Sequence, residues 1–179
     1  NGKTFSWGGK YSPNFDQRDT LFTDLGVFEK FSPKIDSTKF NNSILFLANI
    51  QPQLQMQVIN QLENTSLIVM DTMNLWIDNC LNELKDVIKK VNSLLINEEE
   101  IIDLTGIDDL YKAGKYILND GPQYVIIKKG SKGAIIVSNK DNISIPAVPN
   151  IDVFDPTGAG DSFAGGFLGH LATNQNFDL

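Results

Sequence analysis

The sequence predicts an α/β fold with a mostly parallel sheet, and three observations carry that expectation. From residue 44 onward, apolar runs of strand length alternate with segments of helical period, the sign of repeated βαβ units. The runs hold Ile, Leu, Val and Phe with few polar breaks, as buried strands do. Polar residues, Asn49, Asp71, Asn97 and Lys128, recur at their carboxyl ends, where open α/β sheets bind ligands.

Residues 1–40 read differently from this pattern. Residues 4–7 and 20–23 suggest short strands, with Gly8-Gly9 as a turn. The core begins with a buried strand over residues 43–49. A helix follows from near Pro52, since proline suits a first helical turn whose N–H groups lack partners anyway, and Leu54, Val58 and Leu62 share one face. Residues 67–70 form the next strand, and residues 75–91 carry Leu81, Leu84, Ile88 and Val91 at helical spacing. After a strand at 93–96 come two helical pieces, 98–104 and 108–118, broken at Thr105-Gly106. The strand at 124–127 then turns through Lys129-Gly130-Ser131-Lys132-Gly133 into 134–137 as a hairpin.

Bulk properties narrow the function. A chain of 179 residues with 41% hydrophobic residues can bury a sizeable core. A net charge of −7 argues against a nucleic-acid or anionic-membrane partner, so any phosphate site must be local. The single cysteine, Cys80, excludes an internal disulfide and reads as a core thiol on a helix. With His170 as the lone histidine, a zinc cluster is excluded as well; His170 falls near the end of the last helix, in a packing or dipole-facing role. No apolar run approaches the roughly 20 residues a membrane span needs, and no signal-peptide pattern is present. A cytoplasmic location is the expectation.

The run from Asp155 to Leu168, DPTGAGDSFAGGFL, is the most informative stretch. Gly158 and Gly160 allow positive φ and close approach to a ligand, and the first turn of the following helix offers unpaired N–H groups to an anion. A carboxylate there, Asp161, can orient a hydroxyl and take its proton while the amides hold phosphoryl oxygens. On local chemistry alone Asp161 reads equally well as a helix cap. Likewise Asn97 with Glu100 forms a capping-box pair, and residues 128–133 read as a strand end and a lysine-bearing turn. Asp155 and Thr157, flanking Pro156, suit a turn.

These fourteen residues resemble the C-terminal signature of the PfkB, or ribokinase-like, carbohydrate kinase family. The resemblance implies a three-layer sandwich with a mostly parallel central sheet and a small β lid. Residues 1–40 would then be the lid and its return to the core, and residues 41–179 the nucleotide-binding kinase core. It implies Asp161 as the catalytic base, and Gly158, Ala159 and Gly160 as the anion hole, with Gly160 also against the nucleotide. Asn97-x-x-Glu100 resembles a second family motif, whose Glu supports magnesium through water and whose Asn lies near the nucleotide phosphates. Three acids at 98–100 beside a triphosphate make sense with a divalent cation present. Lys128, Lys129, Gly130, Ser131, Lys132 and Gly133 resemble the nucleotide loop and are expected beside ATP. Asp155 and Thr157 match positions that bind a monovalent cation, K+, in some members. Asp71-Thr72-Met73-Asn74 loosely resembles an Asp-x-Asn segment near sugar or nucleotide, longer here by one residue, which makes Asp71 a candidate substrate contact.

The resemblance thus implies ATP- and Mg2+-dependent phosphoryl transfer to a primary hydroxyl of a sugar or sugar derivative. A nucleoside, adenosine-like, is the alternative acceptor, and a noncatalytic nucleotide- or sugar-binding module is the alternative of a different class. Relatives dimerise through the lid, which implies a homodimer. Acceptor-binding residues upstream of Asn1, and the helices completing the adenine pocket, are expected to lie outside these 179 residues. Of two other nucleotide motifs, Gly2-Lys3-Thr4 fails because it does not open a helix as a P-loop must, and Gly158-Ala159-Gly160 has Phe163 where a dinucleotide fingerprint needs Gly or Ala, which leaves a Rossmann dehydrogenase only a weak rival.

Overall fold

The amino-terminal residues pair as an antiparallel ribbon of β1 (Ser6–Tyr11) and β2 (Arg18–Asp24). The computed structural model describes residues 1–13, 18–62 and 64–174, and the chain divides into two compact units, Asn1–Pro33 and Lys34–Leu179. Gly8-Gly9 is no turn. Both glycines lie inside β1, where the register slips by one residue between them, and the rings of Phe22 and Trp7 fill the space their Cβ atoms would take. Glycine within a strand marks such a bulge or close approach, and this accounts for the correction. Beyond β2, Gly26 adopts φ +55 and its N–H bonds to Asp24 Oδ1 at 3.0 Å, which starts a 3-10 turn over Gly26–Lys30. Phe28 of that turn meets Phe5 edge-on at 6.2 Å and stacks on Phe31 at 5.6 Å.

The larger unit begins with β3 (Ser43–Leu47), α1 (Pro52–Ile59), β4 (Thr65–Asp71), α2 (Asn74–Asn79) and α3 (Leu81–Ile88). It continues through β5 (Ser93–Asn97), α4 (Glu98–Thr105), α5 (Leu110–Leu118), β6 (Tyr124–Lys128), β7 (Ala134–Ser138), β8 (Asn142–Ile145) and α6 (Ala159–Asn174). The sheet runs in sequence order from β3 to β8, with β3 to β6 parallel and β7 and β8 antiparallel. Parallel crossovers are nearly always right-handed, so crossovers stepping in one direction deposit every helix on the same face. Alternation along the strands divides the core accordingly. Met70, Leu94, Ile96, Val125 and Ile127 pack with residues of α2, α3, α4 and α5, whereas Leu67, Val69, Leu95 and Ile126 pack with Ala164, Leu168 and Leu171 of α6. Helices, sheet and α6 make three layers.

The structure corrects the sequence expectation at several places. One helix over residues 75–91 becomes two, because Cys80 at φ −138, ψ 37 breaks the helical path between α2 and α3. Cys80 is therefore a half-buried hinge residue rather than a helix-borne core thiol. Helix α1 ends at Ile59, which leaves Leu62 beyond it. Strand β8 went unseen because all four of its residues are exposed, so it lacks a one-sided apolar pattern. The β6–β7 connection is a 3-10 turn over Gly130–Lys132, flanked by positive φ at Gly130 (+55) and Gly133 (+94).

At Gly133 a Cβ would sit 2.7 Å from Ala147 N and Pro146 C, while at Gly130 it would meet open space. Left-handed backbone alone costs an L-residue about 1–2 kcal/mol. Gly130→Ala should therefore lose about 1 kcal/mol in urea unfolding and Gly133→Ala clearly more, since backbone cannot yield as a side chain can.

Candidate active site

Strand alternation determines which way the polar strand ends face. Val69, Leu95 and Ile126 point toward α6, so the residues two further on, Asp71, Asn97 and Lys128, project to that face at the carboxyl edge of β4, β5 and β6. Register agrees: Asp71 lies beside Leu95, and Asn97 beside Lys128.

Asp71 and Lys128 close across the intervening strand. Lys128 Nζ donates to both carboxylate oxygens of Asp71, at 2.9 and 2.8 Å, and the two side chains are only 7% and 17% exposed. The Thr72 N–H donates to Asp71 Oδ1 at 2.9 Å. The Asp71 carbonyl accepts Gln55 Nε2 at 3.1 Å, and the same amide reaches the Leu47 and Ala48 carbonyls, tying the ends of β3 and β4 together. Lys128 Nζ also lies beneath the start of α6, because a Cβ built on Gly160 would be 3.5 Å from it.

Next along the edge, Asn97 and Glu100 form the full reciprocal capping box. Glu100 N–H donates to Asn97 Oδ1 at 2.8 Å, and Asn97 N–H donates to Glu100 Oε2 at 2.9 Å. Glu100 is buried at 4% exposure, with Glu98 and Glu99 ahead of it on the first turn of α4. Lys132 Nζ stands 3.8 Å from Glu98 Oε2, a surface pair worth little energetically that nonetheless puts the β6–β7 turn beside the start of α4. Lys129 N–H closes that turn on the Gly133 carbonyl at 2.8 Å; Gly130, Ser131 and Lys132 are exposed.

Among the described residues, no group of three or more His, Cys, Asp or Glu residues can hold a metal ion. Glu100 commits Oε2 to its cap, and a single carboxylate of this kind fits magnesium held chiefly by nucleotide phosphates and water.

The segment before α6 is a turn in which Thr157 N–H donates to Asp155 Oδ1 at 2.8 Å. Hydrogen bonds from the Thr157 side chain and backbone hold the exposed Asp155 carboxyl below its ordinary value. Asp155 and Thr157 therefore stand in a side-chain-capped turn. Gly158 follows at φ +80, and Ala159 N–H bonds to the Pro156 carbonyl at 3.1 Å. Asp161 sits in the first turn of α6, exposed, and caps no backbone amide among the described residues. His170, in the last turn, is exposed and bonds with Asn174.

Two supporting residues escaped the sequence reading. Gln55 is 1% exposed on α1, and a glutamine inside an apolar helix face was the available signal. Trp76 Nε1 donates to Asn49 Oδ1 at 2.8 Å, which joins the β3–α1 loop to α2. The hollow lined by Ser37, Thr38, Phe40, Asn41, Leu62 and Asn64 precedes β3 and β4, away from this edge.

The chain is similar to several known kinases. A cytidine kinase of Thermococcus kodakarensis is 27% identical over 151 residues, 81% of this chain and 54% of the relative. A nucleoside kinase of Methanocaldococcus jannaschii is 27% identical over 150 residues, 84% of this chain and 48% of the relative. The chain thus spans about half the length of the curated relatives it matches. In three dimensions it superposes on the ribokinase of Thermotoga maritima with a TM-score of 0.74 at 22% identity, over 96% of this chain and 57% of that one, a likeness of fold. The pattern of the pfkB family carbohydrate kinases matches residues 24–178, and the chain belongs to that family.

Proposed function

We propose that the protein carrying this chain transfers the γ-phosphoryl group of ATP to a primary hydroxyl of a sugar, a sugar derivative or a nucleoside, with Asp161 as the base. One observation carries the reading: an exposed carboxylate stands in the first turn of a helix that starts from a left-handed glycine and overlies a lysine ammonium. Asp161 orients the acceptor hydroxyl and takes its proton as the oxygen attacks. Backbone N–H groups at Gly158, Ala159 and Gly160 hold the phosphoryl oxygens and absorb the charge that develops in transfer. Residues 128–133 flank the nucleotide, and Asn97 faces its phosphates. Magnesium, where bound, neutralises phosphate charge, and Glu100 holds it through water. Asp155 and Thr157 are the candidate ligands of a monovalent cation such as K+.

A nucleoside acceptor is favoured by the names of the two relatives at 27% identity, a cytidine kinase and a nucleoside kinase. Incubation of the full-length protein with ATP, Mg2+ and a panel of sugars and nucleosides identifies the acceptor by acceptor-dependent ADP release. Saturable binding without transfer would make the protein a binding module instead.

Removal of the base should spare nucleotide affinity while lowering turnover about 10²–10⁴-fold in Asp161→Asn, measured by coupled ADP assay and calorimetry. Undiminished turnover would sink the assignment. For Glu100→Gln, the Mg2+ concentration giving half-maximal activity should rise about 10-fold or more, as for loss of an outer-shell partner. An unchanged magnesium titration would remove Glu100 from the metal site.

A further inference from the structure

The Asp71–Lys128 pair is expensive for what it gives the fold. A nearly buried ion pair contributes little net stability over an apolar pair of similar size, because desolvation offsets attraction. Its position is informative, since the ammonium lies under Gly160 in the first turn of α6. We propose that Lys128 supplies the positive charge of the phosphoryl site, and that Asp71 is the positioning residue that holds its ammonium beneath Gly160, where an incoming phosphate comes to share it.

The two partners differ in freedom. Asp71 is anchored at its carboxylate by the Thr72 N–H and at its carbonyl by Gln55, so it stays in place. Among the described residues the Lys128 side chain bonds to Asp71 alone, and its four-carbon stem lets the ammonium swing while the strand stays fixed. A lysine is also suited to phosphate as a mobile point charge. Charge balance gives the exchange a reason. With Lys128 neutralised by Asp71, the site without ligand holds no unpaired buried cation. With phosphate present, one ammonium is shared between two anions in a setting of low dielectric, where each contact is strong. Asp71 thereby acts through Lys128 rather than on substrate.

This inference rests on the phosphotransferase reading, and the test separates the two. In the full-length protein, Lys128→Met should lower kcat about 100-fold, in the range for loss of one phosphoryl-stabilising donor, with acceptor KM unchanged. ATP affinity should fall about 10-fold while adenosine affinity holds. Lys128→Arg should recover most of the ATP affinity. Asp71→Asn should lower kcat about 10-fold. The double variant Asp71→Asn/Lys128→Met removes both charges, so it should regain thermal stability relative to either single variant yet keep the rate of Lys128→Met. A purely structural pair predicts that rate recovers with stability, and that outcome overturns the proposal. So does equal ATP affinity in wild type and Lys128→Met. If wild type binds ATP but transfers to no acceptor, the enzymatic reading falls, while the ATP-to-adenosine comparison still decides the role of Lys128.

Discussion

Three parallel strands deliver Asp71, Asn97 and Lys128 to one face of one edge, and the site depends on that alignment. The residue two positions before each, Val69, Leu95 and Ile126, is fully buried against α6, so the polar residue that follows has no choice of face. A slip of one residue in any strand would turn its polar end away from α6, into the apolar layer of α2 to α5. The register of the core therefore sets the register of the chemistry.

Two carboxylates near the start of α6 occupy opposite electrostatic settings. Asp71 is buried and neutralised by Lys128 through two hydrogen bonds, whereas Asp161 is exposed on the helix that covers that lysine. The first suits a fixed counter-charge and the second a group that exchanges a proton with a ligand. Environment, not residue type, separates the two carboxylates. Glu100 is a third case, buried yet satisfied by the Asn97 amide, so its helix start is rigid.

The legible parts were those coded by local period or local chemistry. The βαβ rhythm placed the parallel strands within a residue or two, and Asn97 and Glu100 at N-cap spacing foretold the capping box that holds α4. The misreadings had nonlocal causes. Gly8-Gly9 looked like a turn until two aromatic rings claimed its space, and the helix over 75–91 broke at Cys80, where α2 turns aside to bond Trp76 to Asn49, 27 residues upstream. Strand β8 had no buried side to announce it.

Sequence by itself determined the fold class, the family motif around Asp161 and the polar character of each strand end, because period and turn chemistry act over a few residues. Tertiary structure alone decided that Lys128 is bound by Asp71, a residue 57 positions earlier, and that its ammonium lies under Gly160. That pairing spans β5 and needs the strand order, the common face and the packing of α6 together, none of which a local pattern encodes.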